Sequence, residues 1–198
     1  MNESLAALLE DLNDKDIYIA KAAQEALAAM GDSVIPVLLN LLESKETRQL
    51  AGVVKVLGQI GGDIILESIM PLSDHPDRMV RMNLASAAAE IGGEKSVGFL
   101  LQWMGKSQDN FDRYWIVNML SKFNSTEVVD RLIAILKETE SNMIRYMAIR
   151  VLGELGAVKA IEDIRPFLKD EDRHVQEDAK IALEKLTDLV GENNNEQT

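Results

Sequence analysis

The chain has 198 residues, no cysteine and a net charge of −12, which excludes disulfides, zinc–thiolate sites, iron–sulfur clusters and cysteine nucleophiles. Its 33 Asp and Glu against 21 Lys and Arg have the wrong sign for a nucleic-acid surface, where clustered cations meet phosphates. No apolar run reaches the roughly 20 residues that span a bilayer, and Met1-Asn2-Glu3-Ser4 lacks a basic stretch. The expectation is a cytoplasmic protein with neither nucleic acid nor membrane as partner.

In chain order, six segments end alike, anchored at Gly31, Gly61, Gly92, Asn124, Gly156 and Thr187, with spacings of 30, 31, 32, 32 and 31. One, four, five and eight residues before each anchor the side chain is apolar: Met30, Leu27, Ala26 and Ala23 in the first segment, Leu155, Leu152, Val151 and Ala148 in the fifth. That is one face of a helix of about 15 residues, not a strand alternation. Gly or Asn at the anchor suits a helix end that needs the left-handed conformation. A shorter helical pattern precedes each long one. It is apolar at Leu9 and Leu12, Leu39 and Leu42, Ile69 and Leu72, Leu100 and Trp103, Leu132 and Ile135, and Ile164 and Phe167. Pro71 and Pro166 fall inside these first helices and predict kinks.

Six helix pairs follow, over 1–31, 32–61, 62–92, 93–124, 125–156 and 157–187. A pair of this size cannot bury its own apolar face and must stack on its neighbours, with a polar end. The last pair carries that polarity in Lys169-Asp170-Glu171-Asp172-Arg173. The prediction is one repeat domain over 1–187 and a disordered acidic, polar tail over 188–198.

Asp74-His75-Pro76-Asp77-Arg78-Met79-Val80-Arg81, running into Ala85 to Gly92, is similar to the Asp-Pro-Asp-x-x-Val-Arg start of the second helix in HEAT repeats. The likeness is to the short bacterial kind of the phycobilisome-lyase group. The resemblance covers residues 1–187 and implies an all-α, right-handed α-α superhelix, a solenoid of six two-helix repeats. It also implies a structural Arg ladder at Arg81, Arg113 and Arg145, with loop Asp residues as partners. Asp77 and Asp109 stand four residues earlier, a partner spacing on a helix. Ala20, Leu50 and Gln176 occupy the same column and are expected to break the ladder.

In such arrays the second helices line the concave surface, which places two columns there. Ten residues before the anchor the chain reads Lys21, Ala51, Met82, Tyr114, Tyr146 and Glu177; thirteen before, it reads Tyr18, Arg48, Met79, Phe111, Met143 and His174. Six of the nine aromatic residues lie in the fourth unit, and Phe99, Trp103 and Phe123 among them sit in core columns. Met79, Met82, Phe111, Tyr114, Trp115, Met143 and Tyr146, with Arg78 and Arg150 around them, form the candidate partner-binding patch. The fourth unit has four basic against three acidic residues and is the one positive unit, which favours a partner that is apolar and somewhat acidic. The function implied is a non-enzymatic scaffold or adaptor that takes a peptide, helix or protein edge on its concave face. The family's lyase members suggest an alternative, a tetrapyrrole-type ligand in the aromatic groove.

Catalytic readings fail on inventory. His75 and His174 lie about three units apart, no Ser-His-Asp set converges, and Gly58 to Gly62 and Gly92-Gly93 follow helices rather than strands. Neither a metal nor a cofactor is expected, and a homo-oligomer through an end unit stays open.

Overall fold

The structure is a computed structural model and describes residues 3–195. Twelve α-helices are found among them: α1 (Glu3–Asp11), α2 (Ile17–Ala29), α3 (Ile35–Asn40), α4 (Thr47–Ile60), α5 (Asp63–Ile69), α6 (Arg78–Ile91), α7 (Gly93–Lys106), α8 (Asn110–Leu120), α9 (Thr126–Glu138), α10 (Asn142–Glu154), α11 (Ile161–Ile164) and α12 (Arg173–Asn195). The fold is all-α, and even-numbered helices are the second members of their pairs. Where the sequence predicts one continuous domain, contacts divide the described residues into two compact units, one ending at Leu100 and one starting at Leu101. In the first, α4 packs between α2 and α6; in the second, α10 packs between α8 and α12.

Four of the six second helices start on a repeated device. Asp16, Asp77, Asp109 and Asp172 stand fifteen residues before their anchors. Their carboxylates accept the backbone N–H of Tyr18, Met79, Phe111 and His174 at 2.7–2.8 Å. Each satisfies a first-turn donor that the helix itself cannot, and places negative charge at the positive end of the helix dipole. Asp77 and Asp109, which the sequence offers as partners of the Arg column, thus also cap α6 and α8.

Burial follows the predicted face. Four residues before the anchor, Leu27, Leu57, Ala88, Leu120, Leu152 and Leu183 are buried, as are Ala23, Val53, Leu84, Ile116, Ala148 and Ala179 eight before. Phe99 and Trp103 are core. The second unit's first-helix pair, Leu39 and Leu42, is only half-buried, and Leu38 is fully buried instead. The 30-residue spacing there is one shorter than the next, so Leu38 takes the place of Ile69.

Gly31, Gly61, Gly92 and Gly156 all have positive φ (57° to 82°), as their anchor positions require. Asn124 does not, because no described non-glycine residue has positive φ. The α8 helix ends earlier, and Ser121, Lys122 and Phe123 close the turn with N–H bonds to the carbonyls of Asn118, Met119 and Leu120. Thr187 is not a terminus either. Its hydroxyl donates to the carbonyls of Leu183 and Glu184 inside α12. The tail predicted to be disordered is helical to Asn195, with Leu189 and Val190 half-buried, and residues 196–198 lie outside the described residues. Pro71 and Pro166 act where expected: each is the second residue of a 3₁₀ segment, Met70–Asp74 and Arg165–Lys169, that replaces the α-helix.

The Arg column holds turns. Arg81 donates to the carbonyls of His75 at 2.8 Å and Pro76 at 3.1 Å. Arg145 donates to the carbonyl of Thr139 at 2.9 Å and pairs with Asp170 of the next loop at 3.6 Å. Gln176 does not break the column: its amide donates to the carbonyl of Asp170, six residues back, as Arg145 does to Thr139. The Nε of Arg113 is buried with no hydrogen-bond partner among the described residues.

Asp172 ties the last pair together and makes stability pH-dependent. Desolvation pushes its carboxyl up, but N–H bonds from His174 and Val175 and the Asn142 side chain outweigh it, leaving the group below its ordinary 3.8. A carboxyl lower in the folded than in the unfolded chain adds stability above the unfolded value and loses it as pH falls through the folded one. Replacing Asp172 by Asn is therefore expected to flatten the fall in stability below pH 3.8, read from urea midpoints against pH. An unchanged slope would remove Asp172 as a contributor.

Candidate partner-binding faces

In the second unit, three successive second helices bring a row of rings together. Tyr114 on α8 and Tyr146 on α10 meet edge to face, with centroids 6.1 Å apart at 70°, and His174 on α12 lies 6.3 Å beyond Tyr146. Tyr114 and Tyr146 hold equivalent positions on helices packed side by side, which is why their column predicts that they meet, whereas His174 belongs to the column one turn earlier. Arg150, one turn after Tyr146, stands 5.8 Å from its ring centroid and grips Asp178 of α12 with two nitrogens at 3.1–3.3 Å. Asp178 is buried, so its charge needs that partner. The hydrogen bonds to Asp178 raise the guanidinium of Arg150, against its desolvation. Burial first, and then Tyr114, push the Tyr146 phenol up from 10.0, so that phenol stays neutral at physiological pH.

Both tyrosines are half-buried and Arg150 is exposed. Phe111 and Trp115 stack in parallel along α8, with centroids 6.4 Å apart at 8°, and are half-buried, as is Met143. Sequence reasoning did not single out Asp178 or the ring contact of His174. A buried Asp one helix away from an Arg leaves no local spacing signal.

The remaining patch residues lie in the first unit, on α6. Met79 is 54% exposed, Arg78 is exposed and Met82 half-buried. Met79 lines a groove of about 570 Å³ with residues of α2 and α4, among them Tyr18, Lys21, Arg48 and Lys55. The sequence's own columns contain Tyr18 and Arg48 beside Met79, and Lys21 beside Ala51. The crowding of aromatic residues in the fourth unit drew weight away from them. Among the described residues, no three His, Asp or Glu side chains are grouped to hold a metal ion, and no single helix is long and apolar enough to cross a membrane.

Helix pairs repeated in register, with glycine turns and a turn-holding Arg column, define a helical-repeat protein. The HEAT repeats family profile matches residues 51–121, 66–142 and 106–184, and the chain belongs to that family. No curated protein matches it in sequence. Two engineered proteins of known structure resemble it at TM-scores of 0.53 and 0.51 and identities of 22% and 20%. Each match covers 95% of this chain, and 100% and 98% of the other. A chain of the CpcE–CpcF complex of phycocyanin lyase from Nostoc is similar at 16% identity and TM-score 0.45, over 90% of this chain and 97% of that one.

Proposed function

We propose that this chain is a protein-interaction scaffold whose second-helix faces take a peptide, helix or edge of another protein. The observation that carries the reading is the row Tyr114–Tyr146–His174 with Arg150 fixed beside it by Asp178. Aromatic rings and Arg are the side chains that concentrate binding energy at interfaces. Here they hold one another in place, so a partner orders little on arrival. The proposed contacts are Phe111, Tyr114, Trp115, Met143, Tyr146 and Arg150 in the second unit and, taken separately, Arg78, Met79 and Met82 in the first. The reading is of a non-catalytic, cytoplasmic adaptor that engages neither nucleic acid nor membrane.

The test is selection from a displayed random-peptide library with the full chain as bait. Enriched peptides are then measured against a Tyr114→Ser/Tyr146→Ser variant. Binding is expected to weaken at least tenfold, about 1.4 kcal/mol, while stability drops by about 1 kcal/mol, the scale of a lost aromatic pair. Equal affinity for both forms removes this face from function, and a library that yields no binder sinks the scaffold reading.

A further inference from the structure

The groove of the first unit has a chemistry of its own. Its floor is small and apolar: Leu12, Ala20, Ala51 and Gly52 are all buried. At Gly52 a methyl group would come within 3.2 Å of Leu12, so the floor is filled to its backbone. Over it stand Ile17 at 72%, Tyr18 at 77% and Met79 at 54% exposure, large side chains that the rest of the unit leaves uncovered. The volume, about 570 Å³, falls within the range of about 300–1,000 Å³ typical of binding clefts.

Charge sets this groove apart. Lys15, Lys21, Arg48 and Lys55 line it against a single carboxylate, Asp14, in a chain whose net charge is −12. Asp14 is already engaged, accepting the N–H of Asp16 at 2.7 Å. Arg48 is steadied by its bond to the carbonyl of Asn13 at 3.3 Å, and Lys21 pairs loosely with an exposed Glu25 at 3.7 Å. Cations gathered around an apolar floor suit a ligand that is both acidic and apolar. Such local positive potential survives an acidic whole because salt screens distant charges within about 10 Å.

We propose that the α2–α4–α6 groove binds an acidic amphipathic segment of a partner protein. One or two large apolar side chains of the segment pack on Tyr18, Met79 and the alanine floor, and flanking Asp or Glu residues pair with Lys15, Lys21, Arg48 and Lys55. This rests on the scaffold reading and adds the partner's chemistry. A bare polyanion, nucleic acid included, would leave the apolar walls unused.

The probe is a fluorescein-labelled synthetic peptide of Asp and Glu carrying two Leu and one Phe. Two controls replace its acids by Lys or its apolar residues by Ser. Anisotropy with the full chain is expected to show binding of the first peptide only, weakening at least tenfold from about 50 to about 200 mM salt. Lys21→Glu/Arg48→Glu/Lys55→Glu is expected to abolish binding, and the milder Lys21→Gln/Arg48→Gln/Lys55→Gln to weaken it about tenfold. Tyr114→Ser/Tyr146→Ser is expected to leave it unchanged, with helicity checked by circular dichroism throughout. The proposal is overturned if the Lys peptide binds as well, if both charge variants keep full affinity, or if no probe binds the wild type. Library binders that still depend on Tyr114 and Tyr146 would in that case leave the scaffold reading standing. Loss of both would remove it too.

Discussion

Gly58→Ala is expected to destabilise the protein by about 1–3 kcal/mol, although alanine is the better helix former by about 1 kcal/mol. The reason is the distance between α4 and α6. A Cβ at Gly58 would lie 2.5 Å from the Cβ and 2.6 Å from the Cα of Ala87, inside any van der Waals contact, and the opposing atoms include backbone. No rotamer change relieves that, so the helices must part along a face that also holds Val53, Val54, Leu57 and Leu84. The second unit repeats the arrangement in the same columns: a Cβ at Gly153 would stand 2.9 Å from that of Ala182. Gly98, on α7, provides the contrast, because a Cβ there meets nothing within 4 Å. Gly98→Ala is expected to stabilise by up to about 1 kcal/mol. Urea denaturation of the two variants beside wild type decides it. Stabilisation by both would mean that the helices sit further apart than described.

The contrast shows what a sequence of this kind encodes openly and what it conceals. The period of about 31 residues, the buried columns at Leu57, Leu120 and Leu152, and the glycine stops at Gly61 and Gly92 are readable because each rests on local periodicity or a backbone demand that one residue type meets. Ends governed by competition are not readable. Asn124 tolerates the left-handed conformation without requiring it, and three tight turn bonds after Leu120 serve as well. Thr187 cannot replace a glycine there, so the helix runs on and Leu189 packs near Gly156. The face residues divide the same way. Tyr114 and Tyr146 were visible as a column, whereas the Arg150–Asp178 grip joins residues 28 apart on different helices and has no spacing rule. The first-unit groove has no such signal for another reason: its walls are Ile17 and Tyr18 of the first repeat and Met79 of the third, with two cations from each of the first two repeats.

Leu152→Ala carries the largest expected loss, about 2–5 kcal/mol. Leu152 is fully buried in α10, which packs against α8, α9 and α12, and Ile116, Leu132, Ile149 and Ala179 are equally closed to solvent. Removing three carbons leaves a cavity that neighbours collapse into only partly, and rigid helix pairs collapse less than loops do. The loss has a location as well as a size. In a repeat array each pair contacts its neighbours alone, and the described residues divide at Leu100. Hydrogen exchange is therefore expected to lose protection across α8 to α12 while α2, α4 and α6 keep most of theirs. Equal loss along the whole chain would show that both units unfold as one, and a loss below about 1 kcal/mol would mean that the core around Leu152 repacks freely.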